Sequence, residues 1–253
     1  MKVTFLGTGT SQGVPVIACS CKTCLSGDPR DKRLRTSLLL ETGNITIVID
    51  TGPDFRQQML RENVKRLDAV IFTHEHRDHI AGLDDIRAFN FIQKRPVDIF
   101  TEERVLSALR YEYPYIFAEK KYPGIPEINI HLIDEEDFTV NGLKIAPIRL
   151  MHYKLPVLGF RIGDAAYITD ANFISEQEKE KLFGVKYLII NALRKEKHVS
   201  HFSLSEAVSL IEEISPKRAY LTHLSHQMGL HDDLEKELPP NIHPAYDGLA
   251  FEV

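Results

Sequence analysis

The chain has 253 residues, of which 43% are hydrophobic and 26% are charged, and this composition excludes a disordered or fibrous protein. No apolar run approaches the roughly 20 residues that cross a bilayer, and the apolar start at 3–6 is too short for a signal peptide. We therefore expect no membrane partner and a cytoplasmic location. The net charge of −5 provides no general attraction to nucleic acid.

Short apolar runs recur along the chain and predict strands. In chain order they are 3–6, 37–40, 45–50, 69–73, 97–100, 143–150, 157–162, 166–170, 187–193, 219–222 and 249–253. Segments with helical periodicity lie between them, and several begin at an Asp or Ser that is typical of an N-cap. They are 54–62, 102–113, 175–183, 204–214 and 232–238. Because the two kinds of element alternate without a Gly/Ser-rich linker, we predict one α/β domain over residues 1–253.

Three of the 11 histidines lie in one segment, Thr73-His74-Glu75-His76-Arg77-Asp78-His79. The segment directly follows an apolar predicted strand, so we expect a loop that aims these side chains inward. Imidazole and carboxylate groups are usual ligands of zinc and comparable ions, and burying four of them without a cation would cost much desolvation free energy. The alternative is a solvated surface turn. The position after a buried strand favours a metal site.

All three cysteines lie in the segment Cys19-Ser20-Cys21-Lys22-Thr23-Cys24. Three thiols in a cytoplasmic chain cannot form a complete set of disulfides, so their clustering favours metal binding. A structural zinc site needs four ligands, and His226 is the best candidate for the fourth. Zinc would then replace the packing that an N-terminal loop at about 8–36 cannot supply. Three unrelated thiols beside a surface histidine are the alternative.

The histidine segment resembles the His-x-His-x-Asp-His signature of the metallo-β-lactamase superfamily. The resemblance implies a four-layer αβ/βα sandwich with two divalent ions, zinc or manganese, at one edge. The ligands implied for one ion are His74, His76 and His152. Those implied for the other are Asp78, His79 and His223, with Asp170 bridging the two ions.

The cysteine cluster, with a histidine three positions after His223, resembles a narrower family, the phosphoribosyl cyclic phosphate phosphodiesterases. That resemblance implies that a hydroxide held between the metals hydrolyses small cyclic phosphodiesters such as phosphoribosyl 1,2-cyclic phosphate. It assigns catalytic roles to Asp78 and to His201, which would protonate the leaving oxygen. Imidazole suits this step because its pKa of about 6.5 allows proton exchange near neutrality. His198 is the alternative donor.

Other functions share this fold. A tRNA 3′-processing endonuclease usually carries a tRNA-binding arm between the ligands that correspond to His152 and Asp170, where this chain has only a short stretch. A glyoxalase-like thioesterase would leave the cysteine cluster unexplained. A non-catalytic metal-binding or cofactor-biosynthesis protein is a further alternative. We expect a small-molecule phosphodiester as the partner, disfavour nucleic acid, and leave a homodimer open.

Five further residues are candidates for supporting roles. Asp50 ends a predicted strand and is a candidate for orienting a ligand histidine, although an ordinary turn residue is equally consistent with its position. The candidates for contact with a second phosphate are Arg35, Arg149, Tyr153 and Lys154.

Overall fold

Two β-sheets pack face to face, with helices on their outer faces. The structure is a computed structural model that describes residues 1–120 and 122–253. The predicted four-layer αβ/βα sandwich is confirmed. Within the described ranges, no helix is both long enough and apolar enough to cross a membrane.

Strands and helices are interspersed along the described residues. The elements of the N-terminal half are β1 (Lys2–Gly7), α1 (Lys22–Leu25), β2 (Ser37–Thr42), β3 (Ile45–Ile49), α2 (Phe55–Arg61), β4 (Ala69–Ile71), α3 (Arg77–Ile80), α4 (Arg87–Gln93), β5 (Val97–Thr101), α5 (Glu103–Glu112) and β6 (Ile128–Leu132). The elements of the C-terminal half are β7 (Phe138–Val140), β8 (Leu143–His152), β9 (Leu155–Ile162), β10 (Ala165–Ile168), β11 (Phe173–Ile174), α6 (Glu176–Lys179), β12 (Tyr187–Asn191), α7 (Leu204–Ile214), β13 (Arg218–Thr222), α8 (His231–Glu237), β14 (Ile242–Pro244) and β15 (Ala250–Glu252).

Both sheets contain a parallel block. The first sheet has the order β15-β1-β2-β3-β4-β5-β6, and β3 to β6 run parallel. The second has the order β11-β8-β9-β10-β12-β13-β14, in which β10, β12, β13 and β14 run parallel and β7 pairs with β8. Parallel strands end at the same edge of a sheet. Residues that follow β3, β4, β10 and β13 are therefore brought to the carboxyl ends of their sheets, where open α/β sheets bind ligands.

The alternation of side chains along the strands builds the layers. In β2, Leu38 and Leu40 pack between the two sheets, and Leu39 packs on the outer face with Phe55 of α2. Successive strand residues point to opposite faces, so an uninterrupted apolar strand must be covered on both sides. Full burial of each large apolar side chain contributes about 1.5–3 kcal/mol. This two-sided core holds the strand ends rigidly.

The differences from the prediction lie in short elements. The strands β6, β7, β11 and β14 and the helices α1, α3 and α4 were not predicted. Strand β6 lies at the edge of its sheet, and its alternating half-buried and exposed residues give a weaker apolar signal than a buried strand does. The predicted helix over 175–183 is divided into α6 and a 3₁₀ turn at Glu180–Leu182.

Candidate functional site

Three polar residues lie just after the ends of strands, and each of them has a strained, left-handed backbone conformation. Asp50 comes directly after β3, Asp170 closely follows β10, and His223 comes directly after β13, with φ angles of 65°, 54° and 54°. The left-handed conformation costs about 1–2 kcal/mol for a residue with a side chain. Such strain is typical of functional sites that the surrounding structure holds in place.

The segment that carries the histidine signature is only partly a loop. His74 and His76 lie in the connection after β4, as expected, but Asp78 and His79 belong to the first turn of α3. The expectation of a loop throughout is therefore wrong, because the His79 N–H donates to the His76 carbonyl at 2.9 Å and closes a helical turn. At Gly52, a Cβ atom would lie 2.2 Å from the Asp78 carbonyl oxygen, so glycine is what allows this turn to approach the end of β3.

His74, His76 and His152 form the first group of candidate ligands. One nitrogen from each ring lies within 4.8 Å of the others. His74 and His152 are buried, whereas His76 is exposed. His152 is the last residue of β8. The structure thus brings together three histidines from two sheets, as the resemblance implied.

Asp78, His79, Asp170 and His223 form the second group, whose ligand atoms also lie within 4.8 Å of one another. Asp170 is central to it. Its Oδ1 lies 3.0 Å from His223 Nε2, and its Oδ2 lies 3.3 Å from His79 Nε2. Asp78 Oδ2 lies 3.3 Å from His79 Nε2 on the other side. All seven implied ligands are therefore found at one edge of the sandwich.

Asp50 orients two of the histidines. Its Oδ2 accepts hydrogen bonds from His79 Nδ1 at 2.7 Å and from the Thr73 hydroxyl at 2.8 Å. The Thr73 oxygen in turn lies 3.0 Å from His74 Nδ1. Because the hydroxyl proton of Thr73 is directed to Asp50, its oxygen is free to accept from His74. These contacts hold a proton of each imidazole on Nδ1, so Nε2 is the atom that each ring directs into the group, as in metal-bound histidines.

The site contains a buried nitrogen without a partner. The Nε2 atom of His74 has no hydrogen-bond partner within the described part of the chain, and those of His79 and His223 face the carboxylates of Asp78 and Asp170. His152 Nδ1 donates to the Ser200 carbonyl at 2.7 Å, which leaves its Nε2 lone pair available. Buried polar atoms without partners are costly and need an explanation. Neutral imidazoles beside carboxylates are a donor set that fits divalent cations.

Opposite charges stabilise each other in this group. Burial would raise the pKa of Asp170, but His223 and His79 hold it well below its usual range. Burial would likewise lower the pKa of His223, but Asp170 and Asp78 raise it to about 9. Burial would also lower the pKa of His79, but Asp78, Asp170 and Asp50 raise it well above its usual range. The buried carboxylates and imidazoles thus favour each other's charged forms.

His201 lies against the same carboxylate. Its Nε2 is 3.1 Å from Asp170 Oδ1, and its ring centroid is 4.5 Å from that of His152. His152, Asp170 and His201 together form a further group of close ligand atoms. Burial lowers the pKa of His201 to about 4. His198 lies behind it, with its Nδ1 3.2 Å from His201 Nδ1, so the geometry favours His201 over His198 as the donor near Asp170.

The cysteine segment forms a separate group with His226. The Sγ atoms of Cys19, Cys21 and Cys24 lie 3.2, 3.4 and 3.5 Å from His226 Nδ1. Cys21 is the N-cap of α1, and its sulfur accepts a hydrogen bond from the Cys24 N–H. Three thiols and one imidazole nitrogen match the donor set of a closed structural zinc site.

The N-terminal loop is attached to the strand end that carries His223. The Leu224 N–H donates to the Thr8 carbonyl at 2.8 Å, and the Thr10 N–H donates to the Leu224 carbonyl at 3.3 Å. His226 follows two residues later in a 3₁₀ turn. One short segment therefore joins the cysteine group to the histidine and aspartate groups.

Three supporting residues were missed from the sequence: Thr73, Ser200 and Asn172. The Asn172 Oδ1 accepts from the Tyr153 N–H at 2.6 Å, and its Nδ2 donates to the Val199 carbonyl at 3.2 Å. Thr73 stands next to the histidine signature, and that position was a usable signal. The sequence contains no local pattern that indicates the other two, because their contacts are made across the fold.

Comparisons with known proteins agree with this architecture. A family model described as the beta-lactamase superfamily domain matches residues 46–224. A solved structure described as a new diphosphatase from the PhnP family is 38% identical, with a TM-score of 0.93, and the match covers 100% of this chain and 97% of that one.

Two curated relatives match only in part of their length. An octanoyltransferase of Porphyromonas gingivalis is 42% identical over 252 residues, which cover 98% of this chain and 51% of that protein. A ribonuclease Z of Prochlorococcus marinus is 24% identical over 198 residues, which cover 74% of this chain and 53% of that protein. The chain thus spans about half the length of these relatives, whose names describe the longer proteins.

Proposed function

The chain belongs to the metallo-β-lactamase hydrolase superfamily and, within it, to the PhnP family, and from this premise we propose that it hydrolyses small phosphodiesters. The favoured class is cyclic phosphates of ribose derivatives, such as phosphoribosyl 1,2-cyclic phosphate. The observation that carries the proposal is the convergence of seven histidine and aspartate ligands, with the unpartnered Nε2 atom of His74, beside the additional imidazole of His201.

The two groups of ligands fit a pair of divalent cations, zinc or manganese. The first cation would be held by His74, His76 and His152, the second by Asp78, His79 and His223, and Asp170 would contact both. Bound divalent cations lower the pKa of water and offset negative charge on phosphoryl oxygens. The cysteine group with His226 would hold one structural zinc.

The residues of the chain supply positioning and a proton. Asp50 fixes the ring of His79 by accepting from its Nδ1, so this ligand needs no reorientation. His201 would donate a proton to the departing oxygen as the P–O bond breaks. Burial lowers the pKa of this imidazole, whereas its hydrogen bond with the Asp170 carboxylate raises it.

Diphosphate esters are the second candidate class of substrate. Support comes from the relative in the PhnP family that is described as a diphosphatase. The chemistry is closely related, because a P–O bond is broken in both cases and the leaving group is a phosphate oxygen instead of a sugar oxygen. A phosphate leaves more readily than an alkoxide, so this reaction would depend less on His201.

A tRNA precursor is less favoured. Between His152 and Asp170 the chain forms only β9, β10 and tight connections, which leave no room for a tRNA-binding arm there. The net charge of −5 adds no general attraction to a polyanion. We propose a small-molecule partner and a cytoplasmic location, since the three cysteines are free thiols that approach His226 and need a reducing compartment.

A substrate panel tests the proposed function. The full chain, loaded with zinc or with manganese, is assayed on cyclic ribose phosphates, small diphosphate esters, a tRNA precursor and a thioester. We expect turnover of the small phosphate compounds and none of the other two. Preferred cleavage of the tRNA precursor would establish the endonuclease alternative instead. Absence of turnover on every substrate, with metals present, would favour a non-catalytic metal-binding protein.

The role of His201 is tested with two leaving groups. His201→Ala should lower kcat about 100-fold for an alkyl phosphodiester, within the range for loss of a general acid. The loss should be much smaller for an aryl phosphodiester, because an aryl oxide needs little protonation. His198→Ala is the matched control and should affect both substrates only slightly. Equal losses on both substrates with His201→Ala would contradict the proton-donor role.

A further inference from the structure

Beside the exposed ligand His76 there is a cavity of about 440 Å³ that the reaction as described does not use. Its other lining residues are His152, Tyr153, Lys154, Leu155, Val199 and Ser200. We propose that this cavity binds a flat unsaturated ring of the substrate, such as a nucleobase, stacked on Tyr153. The inference rests on the proposed function and narrows its substrate class to nucleotide-like phosphate esters.

The backbone at Tyr153 is the first observation. Tyr153 and Lys154 form the two-residue turn between β8 and β9, in which His152 pairs with Leu155. Tyr153 has a φ of 58°, whereas Lys154 does not have a positive φ. A hairpin turn with positive φ at its first central residue favours glycine at that position. A bulky aromatic residue is strained there, and such strain is typical of a residue retained for function.

The exposure of the cavity wall is the second observation. Tyr153 is 54% exposed and Val199 is 63% exposed, although both border a polar centre. Asn172 holds these two sides of the cavity in place through its hydrogen bonds to the Tyr153 N–H and the Val199 carbonyl. An exposed aromatic ring and an exposed aliphatic side chain that line the same cavity can enclose a flat ring. Stacking of a base on an aromatic side chain is sequence-tolerant because every base has a π-face.

The charges around the site are the third observation. The four candidates for a second phosphate contact differ in their partners. Arg35 contacts Asp54 at 3.3 Å, and Arg149 contacts Glu102 at 2.6 Å, so these two guanidinium groups are already neutralised. Within the described residues, Lys154 has no carboxylate partner, and its Nζ lies 5.4 Å from the centroid of the Tyr153 ring. The Lys154 ammonium thus lies over one face of the Tyr153 ring as a cation–π contact, and it can also attract an anionic group of a ligand that stacks on the other face.

A matched pair of ligands tests the proposal without turnover. AMP and ribose 5-phosphate differ only in the base, and their affinities for the metal-loaded full chain are measured by calorimetry. We expect AMP to bind about 10-fold more tightly than ribose 5-phosphate, because stacking of one base on an aromatic side chain contributes an affinity difference of that size. Equal affinities would overturn the proposal. If no phosphate ester is hydrolysed, the proposed function fails, but this comparison still decides whether the cavity binds a ring.

Substitutions in the turn between β8 and β9 provide a second test of the proposed binding site. Tyr153→Gly removes the ring and relieves the strained backbone, so we expect an unchanged or higher Tm together with loss of the AMP preference. Tyr153→Phe is the matched control and should retain that preference. Lys154→Gln should weaken the binding of both ligands to the same extent, by a factor that shrinks as salt is added. An AMP preference that survives in Tyr153→Gly would overturn the assignment of the ring to Tyr153.

Discussion

The two groups of candidate metal ligands are held in very different ways. The histidine and aspartate groups lie at the ends of buried strands, and the hydrogen bonds that their imidazoles donate to Asp50, Thr73 and Ser200 already orient them. The cysteine group lies in a loop, on the four-residue helix α1 and the turn that carries His226. Strand ends are fixed by the apolar core of the sandwich, whereas the loop over 8–36 contributes none of the core residues and is held by polar contacts such as those of Leu34 with Asp247 and of His231 with Asp31.

This contrast indicates what a metal would do at each group. Ligands that the fold orients in advance do not need a metal to fold, so metals bound there would be available for chemistry. In a loop without apolar packing, a bound metal would contribute to the folding free energy. We therefore expect loss of activity to dominate in variants of the first region and loss of stability in variants of the second.

The largest expected effect is on activity, at the histidine and aspartate groups. Asp78→Ala or His223→Ala should reduce turnover of phosphodiesters at least about 1,000-fold, equivalent to about 4 kcal/mol of transition-state stabilisation. The Tm should fall as well, because each substitution leaves a buried partner charge uncompensated, so turnover is measured well below the Tm. His131→Ala, at a half-exposed histidine of β6, is the control. Unchanged turnover in the two variants would contradict the ligand assignment.

The next effect tests the orientation by Asp50. Asp50→Asn keeps the size of the side chain but loses the charge that holds the proton on His79 Nδ1. We expect metal affinity to fall by about 10- to 100-fold, measured by competition with a chelator. Asp54→Asn, which alters an aspartate paired with Arg35, is the matched control. Equal affinities in the two variants would mean that the ligands are not oriented in advance.

At the cysteine group the expected effect is on stability. Cys21→Ser should lose the structural zinc and lower the free energy of unfolding by about 2 kcal/mol or more, as loss of a metal does. The metals held by the histidine and aspartate groups should remain, and metal analysis together with thermal unfolding checks both statements. Ser20→Ala is the control in the same segment. A Cys21→Ser protein that kept all its zinc would refute the four-ligand site.

The smallest expected effect is on the reactivity of the thiols, which should depend on pH in chelator-treated protein. The Cys24 N–H lowers the pKa of Cys21 to about 6, and burial raises the pKa of Cys24 to about 11. At pH 7.5 Cys21 is therefore mostly thiolate, and iodoacetamide should modify it faster than Cys24. The rate at Cys21 should fall as pH drops through about 6, because protonation removes the thiolate. Zinc should protect both thiols from iodoacetamide. Equal rates of modification of Cys21 and Cys24 without zinc would contradict the lowered pKa of Cys21.

The layers and the ligands were predictable from sequence for different reasons. The strands around Leu38 and Ile47 are apolar on both faces, a pattern that follows from their burial between two layers. The ligands His74, His76, Asp78 and His79 were recognisable because their spacing forms a known signature. His152 and Asp170 lack such a local pattern, so their assignment depended on the resemblance of the whole chain.

The parts that were missed depend on contacts across the fold. The carbonyl that orients His152 is a backbone atom of Ser200, and backbone atoms leave no trace in the sequence. Asn172 joins Tyr153 to Val199, three positions that are adjacent only after β8, β10 and the segment before α7 have packed. The helical turn at Asp78 was missed because α3 has only four residues, too few to give a periodic signal.

The left-handed backbone at Asp50, Asp170 and His223 also limits how this site can change over time. Glycine, asparagine, aspartate and histidine tolerate that conformation best, whereas β-branched and bulky residues rarely adopt it. Few residue types are therefore tolerated at these strand ends, and most of them have side chains that bind metals or form hydrogen bonds. New chemistry on this scaffold would more readily arise from the surrounding loops than from these three candidate positions.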